Sequence, residues 1–119
     1  MKINLFHINN YNINTSLFDH SLHASIVNKF EREFADYVGA DYACSVSSAT
    51  NAIFLSLLNK NVTVEVPSII PPVVLNAIIN SGNGIEFVDN VDWVGDSYVL
   101  HDFGSYKIID SAQKVEKNQ

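Results

Sequence analysis

The stretch at residues 44–58, CSVSSATNAIFLSLL, constrains the fold of this chain more than any other part of it. Apolar residues at 42–46 predict a buried strand, the small residues at 47–50 predict a turn, and the apolar run at 50–58 predicts a helix. Because this helix has almost no polar face, we expect it to pack against a sheet or against another subunit.

The start of that helix has two interpretations. Small side chains let backbone N–H groups approach an anion, and the helix dipole favours negative charge there, so Ser48 and Thr50 would complete a phosphate site. The alternative is an ordinary N-cap, since serine and threonine are preferred at that position in any helix. The local sequence leaves both interpretations open.

The rest of the chain alternates between helical and strand patterns. Helices are predicted at 21–38, where Gly39 ends the helix, and at 71–80, and strands are predicted at 62–66, 85–88, 98–101 and 106–109. In the first helix Ile26, Phe30, Phe34 and Val38 recur at every fourth position, which predicts a stripe that faces the core. The alternation is typical of an α/β fold with a mostly parallel, mixed sheet and covering helices. Ligands of such sheets bind beyond the carboxyl ends of the strands.

Composition limits the class of protein. A chain of 119 residues with 47% hydrophobic residues is long enough for one domain with a core, and we expect an irregular Asn-rich arm at 1–21 before a single domain at 22–119. The net charge of −6 and the absence of a basic run argue against nucleic acid and membranes as partners. No signal-peptide pattern or membrane-length apolar run is present, so we expect a cytoplasmic protein. The one cysteine, Cys44, is expected in the core, and the histidine spacing predicts no metal site.

Six fragments between residues 30 and 113 occur in the order of motifs known from one family. They are FEREFADYVGA at 30–40, SATNAI at 48–53, VEVPS at 64–68, NAI at 76–78 with Gly82 and FVD at 87–89, HDFG at 101–104, and IDSAQ at 109–113. Together they resemble the amino-terminal part of the pyridoxal-phosphate-dependent sugar aminotransferases of the DegT/StrS type. That resemblance implies the aspartate aminotransferase fold, here as a strongly truncated, minimal version of the large domain.

The resemblance also implies a cofactor site. Its residues would be Ser48, Ala49, Thr50, Asp110, Ala112 and Gln113. Ala49 and Thr50 would bind the cofactor phosphate, Asp110 would pair with the protonated pyridine nitrogen, Ala112 would pack on the ring, and Gln113 would approach its phenolic oxygen. A carboxylate at the ring nitrogen favours the protonated form and makes the ring an electron sink. From the residues alone, Asp110 could instead be a surface carboxylate that caps the next turn.

The chain departs from the family pattern at its catalytic centre. The family's lysine, which holds the cofactor as a Schiff base, lies well downstream of the D-x-A-Q motif, and here only six residues follow Gln113. Lys107, Lys114 and Lys117 do not fall at the matching position, so we predict no catalytic residue. Ala49 stands where the family has glycine, which would be strained if that position needed a positive φ.

Two further departures concern the surroundings of the site. Residues 69–72, Ile-Ile-Pro-Pro, lack the aromatic residue that stacks on the ring in the family. The segment between the strands at 85–88 and 98–101 is too short for a helical crossover, so the second of these strands is expected to join the first as a hairpin.

The sequence therefore supports two kinds of function. The first is a sugar-aminotransferase-like protein that binds pyridoxal phosphate, or another small phosphate, noncovalently and is unable to transaminate alone. The alternative is a non-catalytic small-molecule-binding or assembly module, or one piece of a split aminotransferase. An open sheet edge and the apolar helix at 50–58 predict a homodimer or higher oligomer.

Overall fold

The computed structural model describes residues 12, 14, 16, 24–90 and 93–118. The predicted arm at 1–21 lies outside the described residues except at three isolated positions. The elements in chain order are helix α1 (Ser25–Val38), helix α2 (Ala49–Leu57), strand β1 (Thr63–Pro67), helix α3 (Pro72–Asn80), and strands β2 (Gly84–Val88), β3 (Tyr98–Asp102) and β4 (Lys107–Asp110).

The predicted α/β class is confirmed. Strands β1 and β2 pair in parallel with Val64 beside Ile85 and Val66 beside Phe87, and α3 connects them. Helix α3 begins at Pro72, as expected for a residue whose missing N–H costs no bond at the first helical position. Gly82, in the left-handed region with φ of 85°, then turns the chain toward β2.

The core lies between the parallel strands and the helices α2 and α3. Val64 and Val66 point to the helical side of β1 and are fully buried, as the two-residue period of a strand requires. The other buried core residues are Ile53, Leu57, Val74, Ala77, Ile78 and Leu100. Helix α2 buries only one side, because Leu55 on its outer side is 55% exposed.

The buried side chain of Asn83 joins three elements. Its Oδ1 accepts a hydrogen bond from the Val62 N–H at 3.0 Å, just before β1. Its Nδ2 donates to the Leu57 carbonyl oxygen at the end of α2, at 2.8 Å, and to the Ser81 hydroxyl after α3, also at 2.8 Å. Since a buried polar backbone group without a partner is costly, the amide stabilises the fold by pairing the Val62 N–H. Its other bonds add to those that the Leu57 carbonyl oxygen already accepts from the Lys60 N–H and that the Ser81 hydroxyl donates to the Ile78 carbonyl oxygen.

The strand at 98–101 was predicted to form a hairpin with the strand at 85–88, and this prediction was wrong. Strand β3 pairs antiparallel with β4, not with β2, so the described strands form two separate two-stranded sheets. The physical reason is the short loop between β3 and β4. In that loop the Phe103 N–H donates to the Tyr106 carbonyl oxygen at 2.9 Å and Gly104 adopts a φ of 80°. Antiparallel neighbours are readily joined by such a tight turn.

Two predictions about the first half of the chain were also wrong. Residues 42–46 form no strand, and Cys44 is exposed rather than buried. A strand requires a hydrogen-bonded partner, and none of the described strands lies beside this segment; the Ser45 N–H instead donates to the Glu31 carboxylate at 2.6 Å.

Helix α1 has the predicted end but not the predicted burial. Gly39 ends it with a φ of 77°. The middle of its stripe is exposed, since Phe30 is 56% exposed and Phe34 is 38% exposed, and their rings stack with centroids 5.7 Å apart, whereas Ile26 and Val38 are half-buried. The middle of the stripe is therefore an apolar surface feature.

Within the described part of the chain, no helix is long and apolar enough to cross a bilayer. Nor do three or more histidine, cysteine, aspartate or glutamate side chains come together there as a group able to hold a metal ion.

Replacing Asn83 tests its structural role. We expect Asn83→Ala to lower the free energy of unfolding by about 2–4 kcal/mol, because it leaves the Val62 N–H without its partner and removes the buried bonds to the Leu57 carbonyl oxygen and the Ser81 hydroxyl. The measurement is urea unfolding followed by circular dichroism. Asn76→Ala, at an exposed position in α3, is the matched control and should leave stability unchanged or slightly higher. Equal stability of the two variants would contradict the role given to Asn83.

Candidate functional site

A cavity of about 140 Å³ lies where the starts of α2 and α3 meet the carboxyl end of β4. Five of the six residues predicted for the cofactor site line it, namely Ala49, Thr50, Asp110, Ala112 and Gln113. The sixth, Ser48, is not part of its lining. The start of α2 and the strand-end carboxylate thus face one shared space.

The start of α2 has the geometry of an N-cap. Ser48 has an extended backbone, and its hydroxyl accepts a hydrogen bond from the Asn51 N–H at 3.2 Å. The N–H groups of Ala49 and Thr50 make no hydrogen bond within the described part of the chain. These two donors lie at the positive end of the helix dipole and remain available to an anion. Capping and anion binding are therefore compatible here.

Ala49 sits without strain at the position where the resemblance implies glycine. It is the first residue of α2, and it is not among the residues with positive φ. The turn in this chain therefore does not need the conformational freedom of glycine, and alanine supports the helix that follows.

Both oxygens of the Asp110 carboxylate are engaged. Oδ1 accepts from the Ala112 N–H at 2.9 Å, which is the turn-capping geometry considered from the sequence, and Oδ2 accepts from the Tyr98 hydroxyl at 3.3 Å. Burial raises the pKa of the Tyr98 hydroxyl well above its ordinary value, and the neighbouring Asp110 charge raises it further. The phenol is thus held in its protonated, hydrogen-bond-donating form, and it orients a carboxylate that also lines the cavity.

Seven of the twelve lining residues were not predicted from the sequence, and three of these, Trp93, Asp96 and Tyr98, carry an aromatic or ionisable group. They belong to the loop before β3 and to the first residue of β3, a region interpreted only as an acidic loop and a strand. A signal was present, since Trp93 is the single tryptophan of the chain and stands in a loop of small and acidic residues.

Lysine Nζ atoms are near the cavity but do not line it in the described chain. Lys114 Nζ lies 3.2 Å from Asp96 Oδ1 and 3.0 Å from Glu116 Oε1. Bonds to Glu116 and Asp96 raise the pKa of Lys114, while the Ser97 N–H and Lys114 lower the pKa of Asp96. Lys107 is paired with Asp102 at 3.0 Å. An amine held in an ion pair is a poor nucleophile.

Gln113 is fixed by a backbone contact. Its Oε1 accepts a hydrogen bond from the Gly95 N–H. Its amide nitrogen is therefore the polar group left to act as a donor.

The size and charge of the cavity limit its ligand. At about 140 Å³ it is smaller than the roughly 300–1,000 Å³ of typical small-molecule sites, so a cofactor-sized molecule would extend beyond it. The ionisable side chains in its lining include Asp96 and Asp110 and no basic group. An anionic group would therefore meet no basic side chain among the described lining residues, and the N–H groups at the start of α2 are the donors that lie at a positive helix end.

Comparison with known proteins gave one family match. A model of the DegT/DnrJ/EryC1/StrS aminotransferase family matches residues 18–95, which is more than half of the chain. The match includes the start of α2 and Trp93, whereas Asp110, Ala112 and Gln113 lie beyond its end. Comparisons with curated proteins and with solved structures gave no match.

The raised pKa of Tyr98 predicts a loss of stability in alkali. The folded chain holds the phenolic proton at a pH where the unfolded chain, with a tyrosine pKa near 10, releases it. The stabilisation from Tyr98 is therefore fully present below about pH 10 and is lost as the pH rises above it, with a slope of at most about 1.4 kcal/mol per pH unit.

Urea unfolding between pH 8 and pH 11 measures this effect. Tyr98→Phe should flatten the alkaline decline in stability, whereas Tyr42→Phe, at a 90% exposed position, should not. An equally steep decline in Tyr98→Phe would show that this hydroxyl does not contribute.

Proposed function

The chain belongs to the DegT/DnrJ/EryC1/StrS aminotransferase family, and from that membership we propose that it binds pyridoxal phosphate noncovalently in the cavity between α2 and β4. The family is aminotransferase-like and generally depends on this cofactor. The observation that carries the proposal is the convergence of Thr50 and Asp110, which are 60 positions apart in the sequence, on one cavity.

The donor set of the cavity fits this cofactor. A phosphate group needs N–H donors and a positive dipole, which the N–H groups of Ala49 and Thr50 at the start of α2 supply. A pyridine nitrogen that carries a proton needs an acceptor, which the Asp110 carboxylate supplies. A single molecule that is anionic at one end and carries a protonated ring nitrogen at the other would match both.

Each residue then has a definite part. When bound, pyridoxal phosphate draws electrons from the carbon that carries the substrate's amino group. Asp110 holds a proton at the ring nitrogen, and Tyr98 donates to Asp110 and keeps that carboxylate oriented. Gln113, whose Oε1 accepts from Gly95, would have its amide N–H left to donate to the cofactor's phenolic oxygen. Ala112 packs against the ring without adding a polar group.

We further propose that this chain does not transaminate alone. Covalent catalysis in the family requires a deprotonated lysine at the cofactor, and Lys114 and Lys107 are held in ion pairs outside the cavity lining. A second chain that carried the lysine would complete the site. The reaction would then be amino transfer from glutamate to a keto group on a nucleotide-linked sugar.

A self-associated state is part of the proposal. Around the α1 stripe, Phe30, Phe34, Tyr42 and Val46 are 38–90% exposed and border a groove of about 400 Å³. Contiguous exposed apolar surface of this kind is typical of an interaction site. A second copy of the chain would cover it, and we propose a homodimer formed through this surface.

We also propose a reducing compartment such as the cytoplasm. The support is Cys44, a free and exposed thiol in a chain with no second cysteine to pair with it.

The cofactor proposal predicts stabilisation by ligand. Pyridoxal phosphate should raise the melting temperature, and at a concentration a hundredfold above the dissociation constant the gain is about 2.7 kcal/mol. Asp110→Asn should abolish the shift, because the amide no longer accepts the ring proton as a charged partner. Asp36→Asn, on the surface of α1, is the matched control and should keep the shift.

Borohydride treatment of the complex followed by mass spectrometry tests whether any lysine forms a Schiff base with pyridoxal phosphate. We expect no stoichiometric trapped adduct at any one lysine. Trapping at one lysine would contradict the noncovalent proposal, and no melting shift at millimolar ligand would contradict binding itself.

The dimer proposal predicts a mass of twice 13.2 kDa by light scattering coupled to gel filtration. Introducing charge with Phe30→Glu and Phe34→Glu together should yield the monomer, since burying two unpaired carboxylates is unfavourable. Asn28→Glu adds a charge to an exposed position of the same helix and should leave the dimer intact. A wild-type mass of 13.2 kDa at high concentration would rule out the proposal.

A further inference from the structure

We propose that Trp93 and Tyr98 form the aromatic wall against which the ring of the bound cofactor packs. The inference rests on the proposed function and adds to it two residues that none of the sequence motifs identifies.

The positions of Trp93 and Tyr98 in the cavity support their role as the aromatic wall. Trp93 and Tyr98 both line the cavity that Thr50 and Asp110 share, and among the described side chains of its lining these two alone are aromatic. Their ring centroids are 5.4 Å apart at an interplanar angle of 53°, so the two rings are in contact. Tyr98 is in addition bonded to Asp110, which fixes the wall relative to the group that would meet the ring nitrogen.

The two rings also divide the cavity from its surroundings. Trp93 and Tyr98 belong to the lining of a second, larger groove of about 510 Å³ beside β1 and β3. They therefore stand between the two spaces, and a ring placed in the smaller cavity would have the aromatic pair along that side.

A second observation points to Trp93 itself. The residue is only 8% exposed, yet its Nε1 has no hydrogen-bond partner within the described part of the chain. A buried tryptophan N–H normally finds an acceptor, so an unsatisfied donor beside a cavity is consistent with completion by a ligand oxygen.

The aromatic wall would also replace the aromatic residue that stacks on the cofactor ring in the family and that this chain lacks at 69–72. Residues 69–72, Ile-Ile-Pro-Pro, offer no aromatic ring, and of these four only Pro71 lines the cavity. Trp93 and Tyr98 approach from the loop before β3 instead. The aromatic contact would thus come from a different part of the chain.

The single tryptophan makes the test direct, because intrinsic tryptophan fluorescence reports on Trp93 alone. The probe is pyridoxine 5′-phosphate, which has no aldehyde and so does not react with surface lysines. We expect saturable quenching whose dissociation constant equals that from calorimetry. Inorganic phosphate, which could occupy the start of α2 without a ring, should bind more weakly and leave the fluorescence unchanged.

Two substitutions of Trp93 distinguish a stacking contact with the ligand ring from a role in folding. Trp93→Leu should weaken binding of pyridoxine 5′-phosphate about tenfold in calorimetry, and Trp93→Phe should recover most of the affinity because a ring is retained. Tyr42→Leu removes an exposed ring far from the cavity and is the control. Circular dichroism of each variant verifies that it is folded.

The outcomes distinguish the two proposals. Wild-type binding in calorimetry with unchanged fluorescence would overturn the aromatic wall and leave the proposed function standing, as would an equal affinity of Trp93→Leu. Equal quenching by inorganic phosphate would also overturn the wall. The absence of any binding in calorimetry would overturn the wall and the cofactor site together.

Discussion

The hydrogen bonds of one buried amide hold the centre of this structure together. Asn83 accepts from the Val62 N–H and donates to the Leu57 carbonyl oxygen and the Ser81 hydroxyl, so it connects the end of α2, the start of β1 and the turn after α3. Apolar packing by Leu57, Val64 and Ile78 brings these elements together. The directional bonds of the amide add a constraint on their relative positions.

One side of the candidate site, the start of α2, depends on the hydrogen bonds of Asn83. With the end of α2 held by Asn83, its start and the N–H groups of Ala49 and Thr50 are directed at the cavity. The other side comes from the β3–β4 hairpin, which carries Tyr98 and Asp110. The family match covers the first side and ends before Tyr98 and Asp110, so it does not itself extend to the second side.

The sequence predicted the elements that depend on local signals. Gly39, Pro72 and the alternation around Val64 and Val66 located the end of α1, the start of α3 and strand β1, because each acts through its own backbone or its nearest neighbours. The shared cavity around Thr50 and Asp110 followed from motif order and the strand-end rule.

Features that depend on distant partners were not predictable in the same way. The segment at 42–46 has strand-forming residues but no described strand to pair with, and α1 has an apolar stripe but no core to face. Asn83 lies between two glycines and Trp93 lies among acidic residues, and neither neighbourhood in the sequence indicates the contacts that these side chains make. In each case the observed structure depends on contacts with residues that are distant in the sequence, and a periodic pattern carries no information about such contacts.

The separation of the strands into two sheets has a consequence for the order of folding. The β1–α3–β2 unit brings together residues about 20 positions apart, whereas Asp110 reaches the start of α2 only across some 60 positions. The hairpin contacts the core through the buried Leu100 and through three partly buried side chains, Tyr98, Phe103 and Ile108. We therefore expect the hairpin to detach as a cooperative unit while the rest stays folded, with amide protons of β3 and β4 exchanging with solvent faster than those of β1. Release of a bound molecule would then proceed through this partial opening, at a rate set by how tightly Leu100 and the other three side chains are packed.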